Sequence, residues 1–108
     1  TSVKIDIPLF EQVLQNVMKN AVESIECDGY IYITTSVDNN RVCLEIADTG
    51  KGISKEVEQN LFTPFFTTKP SGQGVGLMVV REILMSHHCK FSFYTDENHI
   101  TRFTIIFP

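Results

Sequence analysis

The sequence predicts an α+β domain, a two-layer sandwich with helices on one face of a mostly antiparallel sheet. Three observations lead there. Apolar stripes of helical period run through residues 9–25 and again through 75–86, and two pairs of β-rich runs lie at 30–47 and 90–107. Paired hairpins separated by helices bury both kinds of apolar face by stacking one layer on the other. At 108 residues and 43% hydrophobic content there is one core to build, and two domains would not fit.

In chain order, Phe10, Val13, Leu14, Val17, Met18, Ala21, Val22 and Ile25 recur at helical spacing and give a first helix of four to five turns. Pro8 stands just ahead of it, where a first turn tolerates proline. Cys27-Asp28-Gly29 ends the helix. Residues 30–37 then form a β-branched strand, Asp38-Asn39-Asn40 a turn, and residues 41–47 the returning strand, in which Val42, Leu44 and Ile46 alternate with Cys43 and Glu45. The stretch 48–74 is punctuated by Gly50, Gly52, Pro64, Pro70, Gly72 and Gly74 and holds at most one short helix, near 55–61. A loop that long inside a compact domain points to function. Leu77, Val80, Ile83 and Leu84 restore helical period, and residues 90–95 and 101–107 close the chain as a hairpin.

Composition narrows the function. A net charge of -4 without a basic stripe has the wrong sign for generic binding to nucleic acid or an anionic membrane. Cys27, Cys43 and Cys89 are odd in number and follow no metal-ligand spacing, which argues against a disulfide framework or zinc site and for a reducing, cytoplasmic compartment. No apolar run approaches a membrane span, and no signal-peptide core opens the chain. The isolated domain is expected to be soluble and monomeric.

Four segments could carry chemistry. At about 100° per residue, Asn20 lies roughly 20° from Val13 and 60° from Val17, so its amide points along the margin of the apolar face with Asn16 one turn earlier. Such amides either cap neighbouring backbone or face a bound ion or phosphate. Asp48-Thr49-Gly50-Lys51-Gly52-Ile53 begins where a hydrophobic strand stops: the carboxylate can accept from a ligand amine, and glycines let backbone approach a flat ring. A simple Asp-Thr-Gly turn is the plainer alternative. Gly72-Gln73-Gly74-Val75-Gly76-Leu77 precedes a helix and can cradle phosphate, helped by Thr67, Thr68 and Lys69, although it matches neither a Walker nor a Rossmann pattern. Phe62, Phe65 and Phe66 around Pro64 form either a satellite core or a lid over a ligand.

Together these segments resemble, in order and spacing, the N, G1, F and G2 boxes of the catalytic ATP-binding domain of sensor histidine kinases. They are Asn16…Asn20-Ala21, Asp48-x-Gly50-x-Gly52, Phe62-x-Pro64-Phe65-Phe66 and Gly72-x-Gly74-x-Gly76-Leu77. The wording Phe65-Phe66-Thr67-Thr68-Lys69 is most similar to kinases of the nitrogen-regulatory type. The resemblance implies a Bergerat-type sandwich of about three helices on a mixed five-stranded sheet, with ATP between the N-box helix and a lid. It further implies that Asp48 accepts from the adenine amino group, Asn20 ligates magnesium, and Asn16 and Lys19 support the ion and phosphates. Gly50, Gly52 and Ile53 would floor the adenine pocket, while Thr67, Thr68, Lys69, Gly72, Gly74, Val75, Gly76 and Leu77 would close on the phosphates.

The chain departs from the family at His88-Cys89, where many relatives carry two glycines, and at the turn Asp96-Glu97-Asn98-His99, which lacks the customary ones. It also lacks the dimerisation domain with its phosphoacceptor histidine, so residues 1–108 are read as a fragment of a longer kinase whose eventual partner is a response regulator. Gyrase and heat-shock chaperone relatives place a glutamate four positions before the magnesium asparagine to activate water. Here that position is Asn16, which cannot take a proton, so transfer to a partner histidine is the better reading than hydrolysis, serine phosphorylation or nucleotide sensing alone. His87, His88 and His99 are read as structural.

Overall fold

The computed structural model describes residues 2–60 and 76–108. In chain order the elements are α1 (Ile7–Ser24), β1 (Ile31–Asp38), β2 (Arg41–Asp48), α2 (Lys55–Asn60), α3 (Gly76–Ser86), β3 (Lys90–Thr95) and β4 (Thr101–Ile106). Helix α1 starts two residues ahead of the apolar stripe because Asp6 caps it. The Asp6 side chain accepts from the Leu9 N–H at 3.1 Å, and Pro8 falls inside the first turn, where its missing N–H leaves no gap. Asn39 and Asn40 both take left-handed backbone, φ 51° and 64°, which closes the two-residue hairpin between β1 and β2.

The expected five-stranded mixed sheet does not form among the described residues. Four strands pair in the order β1-β2-β4-β3, antiparallel throughout. Four runs are all that alternation marks in the sequence; the fifth strand and the parallel pairing rested on resemblance alone. Among the described residues the helix count also differs, since there α1 and α3 are the long helices that pack into the core. Helix α2 has six residues, under two turns, and lies beside β3.

The core fills the space between these two helices and the sheet. Phe10, Val13 and Val17 of α1 meet Val80, Ile83 and Leu84 of α3 above Ile46, Phe103, Ile105 and Phe107. Strand β4 is central, and its Thr101, Phe103 and Ile105 are buried in alternation. Strand β1 is an edge, and its Ile33 and Val37 stay exposed.

Helix α3 ends in a Schellman motif. His88 stands at φ 59°, its N–H donates to the Met85 carbonyl at 3.0 Å, and the Cys89 N–H donates to the Leu84 carbonyl at 3.0 Å. His99 likewise sits at φ 64° in the last turn, so both departures from the family's glycines take left-handed backbone with a histidine. At that turn Asp96 Oδ1 accepts from the N–H groups of Asn98 and Ile100, and Oδ2 accepts from Arg102 at 2.8 Å.

Candidate functional site

A row of paired residues crosses one end of the sheet. Ile31 stands opposite Asp48, Asp48 opposite Thr101, and Thr101 opposite Thr95. Directly opposed residues share a face, and Ile46 and Phe103, two positions along their strands, belong to the core beneath the helices. Asp48 and Thr101 are therefore the polar end of the core face, and only 4% and 3% of each is exposed.

Burial pushes the Asp48 carboxyl above its usual range, and two donors pull part of the way back. The Gly50 N–H donates to Oδ1 at 2.9 Å and the Ser24 hydroxyl donates to the same oxygen at 3.3 Å. A buried carboxylate held this way at the mouth of a glycine turn can accept a hydrogen bond from a ligand amine.

The turn after β2 is pinned on three sides. Its Gly50 N–H goes to Asp48, the Lys51 N–H donates to the Ser24 carbonyl at 3.1 Å, and the Ile53 N–H donates to Thr95 Oγ1 at 2.8 Å. A Cβ on Gly50 would lie 2.0 Å from Ser24 Oγ and 2.6 Å from the Ser24 backbone, so this position must be glycine for the turn to touch α1. The close approach expected here toward a flat ring is thus made first to a helix end. Gly52 stands at φ 77°, where its missing Cβ faces Thr95.

On α1, Asn16 and Asn20 are both half-buried at the margin of the apolar face, one turn apart. The Asn16 side-chain amide donates to the Gln12 carbonyl at 2.9 Å, so it bonds its own helix. Lys19 is exposed and lies 3.9 Å from Glu23. One turn beyond Asn20 comes Ser24, whose contact with Asp48 joins the asparagine helix to the glycine turn.

Thr67, Thr68, Lys69, Gly72, Gly74 and Val75, together with the phenylalanine segment expected to form a lid, lie outside the described residues. Gly76 opens α3, and Leu77 packs against the core. His87 uses both ring nitrogens: Nε2 accepts from the Asp6 N–H at 3.0 Å, and Nδ1 lies 2.8 Å from the Ile83 carbonyl. Ser24, Thr95 and Thr101 escaped the sequence reading. For Thr101 a signal existed, a hydroxyl on the buried parity of an otherwise apolar strand; Ser24 lies at helical i+4 from Asn20; for Thr95 there was none.

Comparison with known proteins adds to this geometry. The family described as histidine kinase-, DNA gyrase B-, and HSP90-like ATPases matches residues 5–108. The sensor histidine kinase ZraS of Escherichia coli O157:H7 is 38% identical over 97 residues, which are 90% of this chain and 21% of that protein. The catalytic domain of histidine kinase ThkA, nucleotide-free, superposes with a TM-score of 0.86 at 34% identity, covering 98% of this chain and 70% of that one. Full-length ShkA in complex with AMPPNP gives a TM-score of 0.80 at 27% identity, over 93% of this chain and 21% of ShkA. The chain thus spans about a fifth of the length of the full-length kinases it resembles. On the match over residues 5–108, the chain belongs to the family of histidine kinase-, DNA gyrase B- and HSP90-like ATPases, as an ATP-binding catalytic domain of the kind that sensor histidine kinases carry.

Proposed function

We propose that this domain presents ATP to a separate dimerisation domain of the same, longer kinase, whose histidine takes the γ-phosphoryl group and passes it to a response regulator in the cytoplasm. The observation that carries the reading is Asp48, a buried carboxylate at the end of β2 with its glycine turn folded against α1. Asp48 accepts from the adenine amino group, and Gly50, Gly52 and Ile53 form the wall beside the base. The nitrogen-regulatory subtype is supported by the wording Phe65-Phe66-Thr67-Thr68-Lys69.

Magnesium fits the donors present. Asn20 carries a neutral amide oxygen at the edge of the core, one turn from Ser24, and would hold the ion through it, with phosphates and water as its further ligands. When bound, the ion neutralises charge on the phosphates. Asn16 and Lys19 support this end, and Thr67, Thr68, Lys69, Gly72, Gly74, Val75, Gly76 and Leu77 enclose the phosphates.

Transfer rather than hydrolysis follows from position 16. Water attack needs a proton acceptor there, and Asn16 supplies an amide that donates to its own helix. With labelled ATP and magnesium, the domain alone should neither label itself nor release phosphate above background, and should label a cognate acceptor domain added in trans. Asn20→Ala should abolish that labelling while circular dichroism stays unchanged. Self-labelling of His87, His88 or His99 would overturn the separate acceptor, and undiminished transfer by Asn20→Ala would overturn the metal ligand.

A further inference from the structure

We infer that Thr95, on the strand farthest from β1, is a positioning residue that holds the glycine turn in the shape the adenine site requires; the inference rests on the base-site reading of Asp48. The turn leaves the sheet at Asp48, so the Ile53 N–H has no ladder partner and must find one elsewhere. It finds Thr95 Oγ1 at 2.8 Å, across 42 positions of sequence. That hydroxyl is itself held, since Thr101 Oγ1 lies 2.9 Å away and either threonine can supply the proton. Thr101 is fully packed and pairs with Asp48 across the sheet. The acceptor of the Ile53 N–H therefore belongs to the same rigid row as the carboxylate.

Thr95 also shapes the turn by contact. Gly52 reaches left-handed backbone where a Cβ would lie 3.2 Å from both Cγ2 and Oγ1 of Thr95. The first half of the turn is fixed by Ser24 and Asp48, and the second half by Thr95. Without that last bond the segment from Lys51 to Ile53 has one end free to drift from the row that orients Asp48. Preorganised contacts act on a ligand only while they are held in place, so the loss is felt as weaker binding.

The experiment is a calorimetric titration of the whole chain with magnesium and a non-hydrolysable ATP analogue. Thr95→Val keeps the methyl against Gly52 and removes the acceptor; Thr95→Ser keeps the acceptor and removes the methyl. Thr95→Val should weaken binding about five- to tenfold, and Thr95→Ser should remain within about twofold of wild type. Exchange of the Ile53 amide in the free protein should accelerate in Thr95→Val and not in Thr95→Ser, with circular dichroism unchanged in both. Wild-type affinity in Thr95→Val, or a serine variant as weak as the valine, would each overturn the inference. Wild-type affinity in Asp48→Asn alone would overturn the base-site reading, a distinct result seen in a different variant.

Discussion

Asp48→Asn should separate binding from stability in opposite directions. In the wild type both described bonds to the carboxylate fall on Oδ1, from the Gly50 N–H at 2.9 Å and the Ser24 hydroxyl at 3.3 Å. An asparagine oxygen can accept both, so the turn keeps its shape. The amide's other end is a donor, and an adenine amino group would then face a donor. A hydrogen bond to a charged partner contributes about 1.5–3 kcal/mol, so ATP affinity should fall about 10- to 150-fold. Guanine presents a carbonyl oxygen at that place, so GTP should lose less or gain. The wild type should prefer ATP over GTP and the variant should lose the preference.

The free protein should respond the other way. Burial raises the folded-state pKa of Asp48 above its unfolded value, so the carboxylate is disfavoured in the fold. Its contribution to stability declines as pH rises from the unfolded value through the raised folded one. Asparagine carries no such charge, so Asp48→Asn should melt above wild type at neutral pH, with the gap closing in acid. Titration calorimetry and thermal melts across pH read the two effects separately. A variant that binds ATP as wild type does would refute the acceptor role. One that melts lower at neutral pH would refute the burial argument.

Gly50→Ala should destabilise by about 1–3 kcal/mol, because the new Cβ lands 2.6 Å from backbone atoms of Ser24, and removing the Ser24 side chain as well should not restore it. Gly52→Ala should cost about 1–2 kcal/mol through its φ of 77° alone; chemical denaturation ranks the two, and a milder Gly50→Ala would contradict the packing of the turn on α1. Arg102 beside Asp96 holds that carboxyl below its usual range, with the Ile100 and Asn98 N–H groups adding to the effect. Asp96→Ala should therefore melt lower than wild type at neutral pH, and the difference should narrow as pH falls through the depressed folded value, leaving the share due to the Asn98 and Ile100 N–H bonds; a gap independent of pH would refute the ionic contribution.

Much of this architecture was legible because it follows from periodicity. The apolar stripe of Phe10, Val13 and Val17 and the alternation of Phe103, Ile105 and Phe107 are local patterns, and each marks the face it buries. Asp48 and its glycines were legible because they stand where a strand stops. What stayed hidden depends on distant pairing. Thr95 is an ordinary strand threonine until the register sets it beside Thr101 and the turn brings the Ile53 N–H to it. Ser24 reads as the last polar residue of a helix until Gly50 folds against it. His88 and His99 in left-handed backbone ran against residue preference, because the motifs around them fix the chain path whichever residue fills the position.

Register is also what ties the site to the core. Strand β2 pairs with β4 so that Ile46 faces Phe103 and Asp48 faces Thr101, on one side of the sheet. A slip of one residue would turn Ile46 and Asp48 outward together and bring Ala47 to the helices. Exposing a buried isoleucine alone costs about 1.5–3 kcal/mol, and every inward residue of the strand would add to that. The slip is therefore prevented by Ile46 and its neighbours, apolar residues of the core. The same packing sets Asp48 against α1, because Val13, Val17 and Ala21 fix the helix's rotation and so the side on which Asn20 and Ser24 emerge. The carboxylate proposed for the base and the amide proposed for the ion are thereby placed by one helix and one strand pair whose positions the core sets.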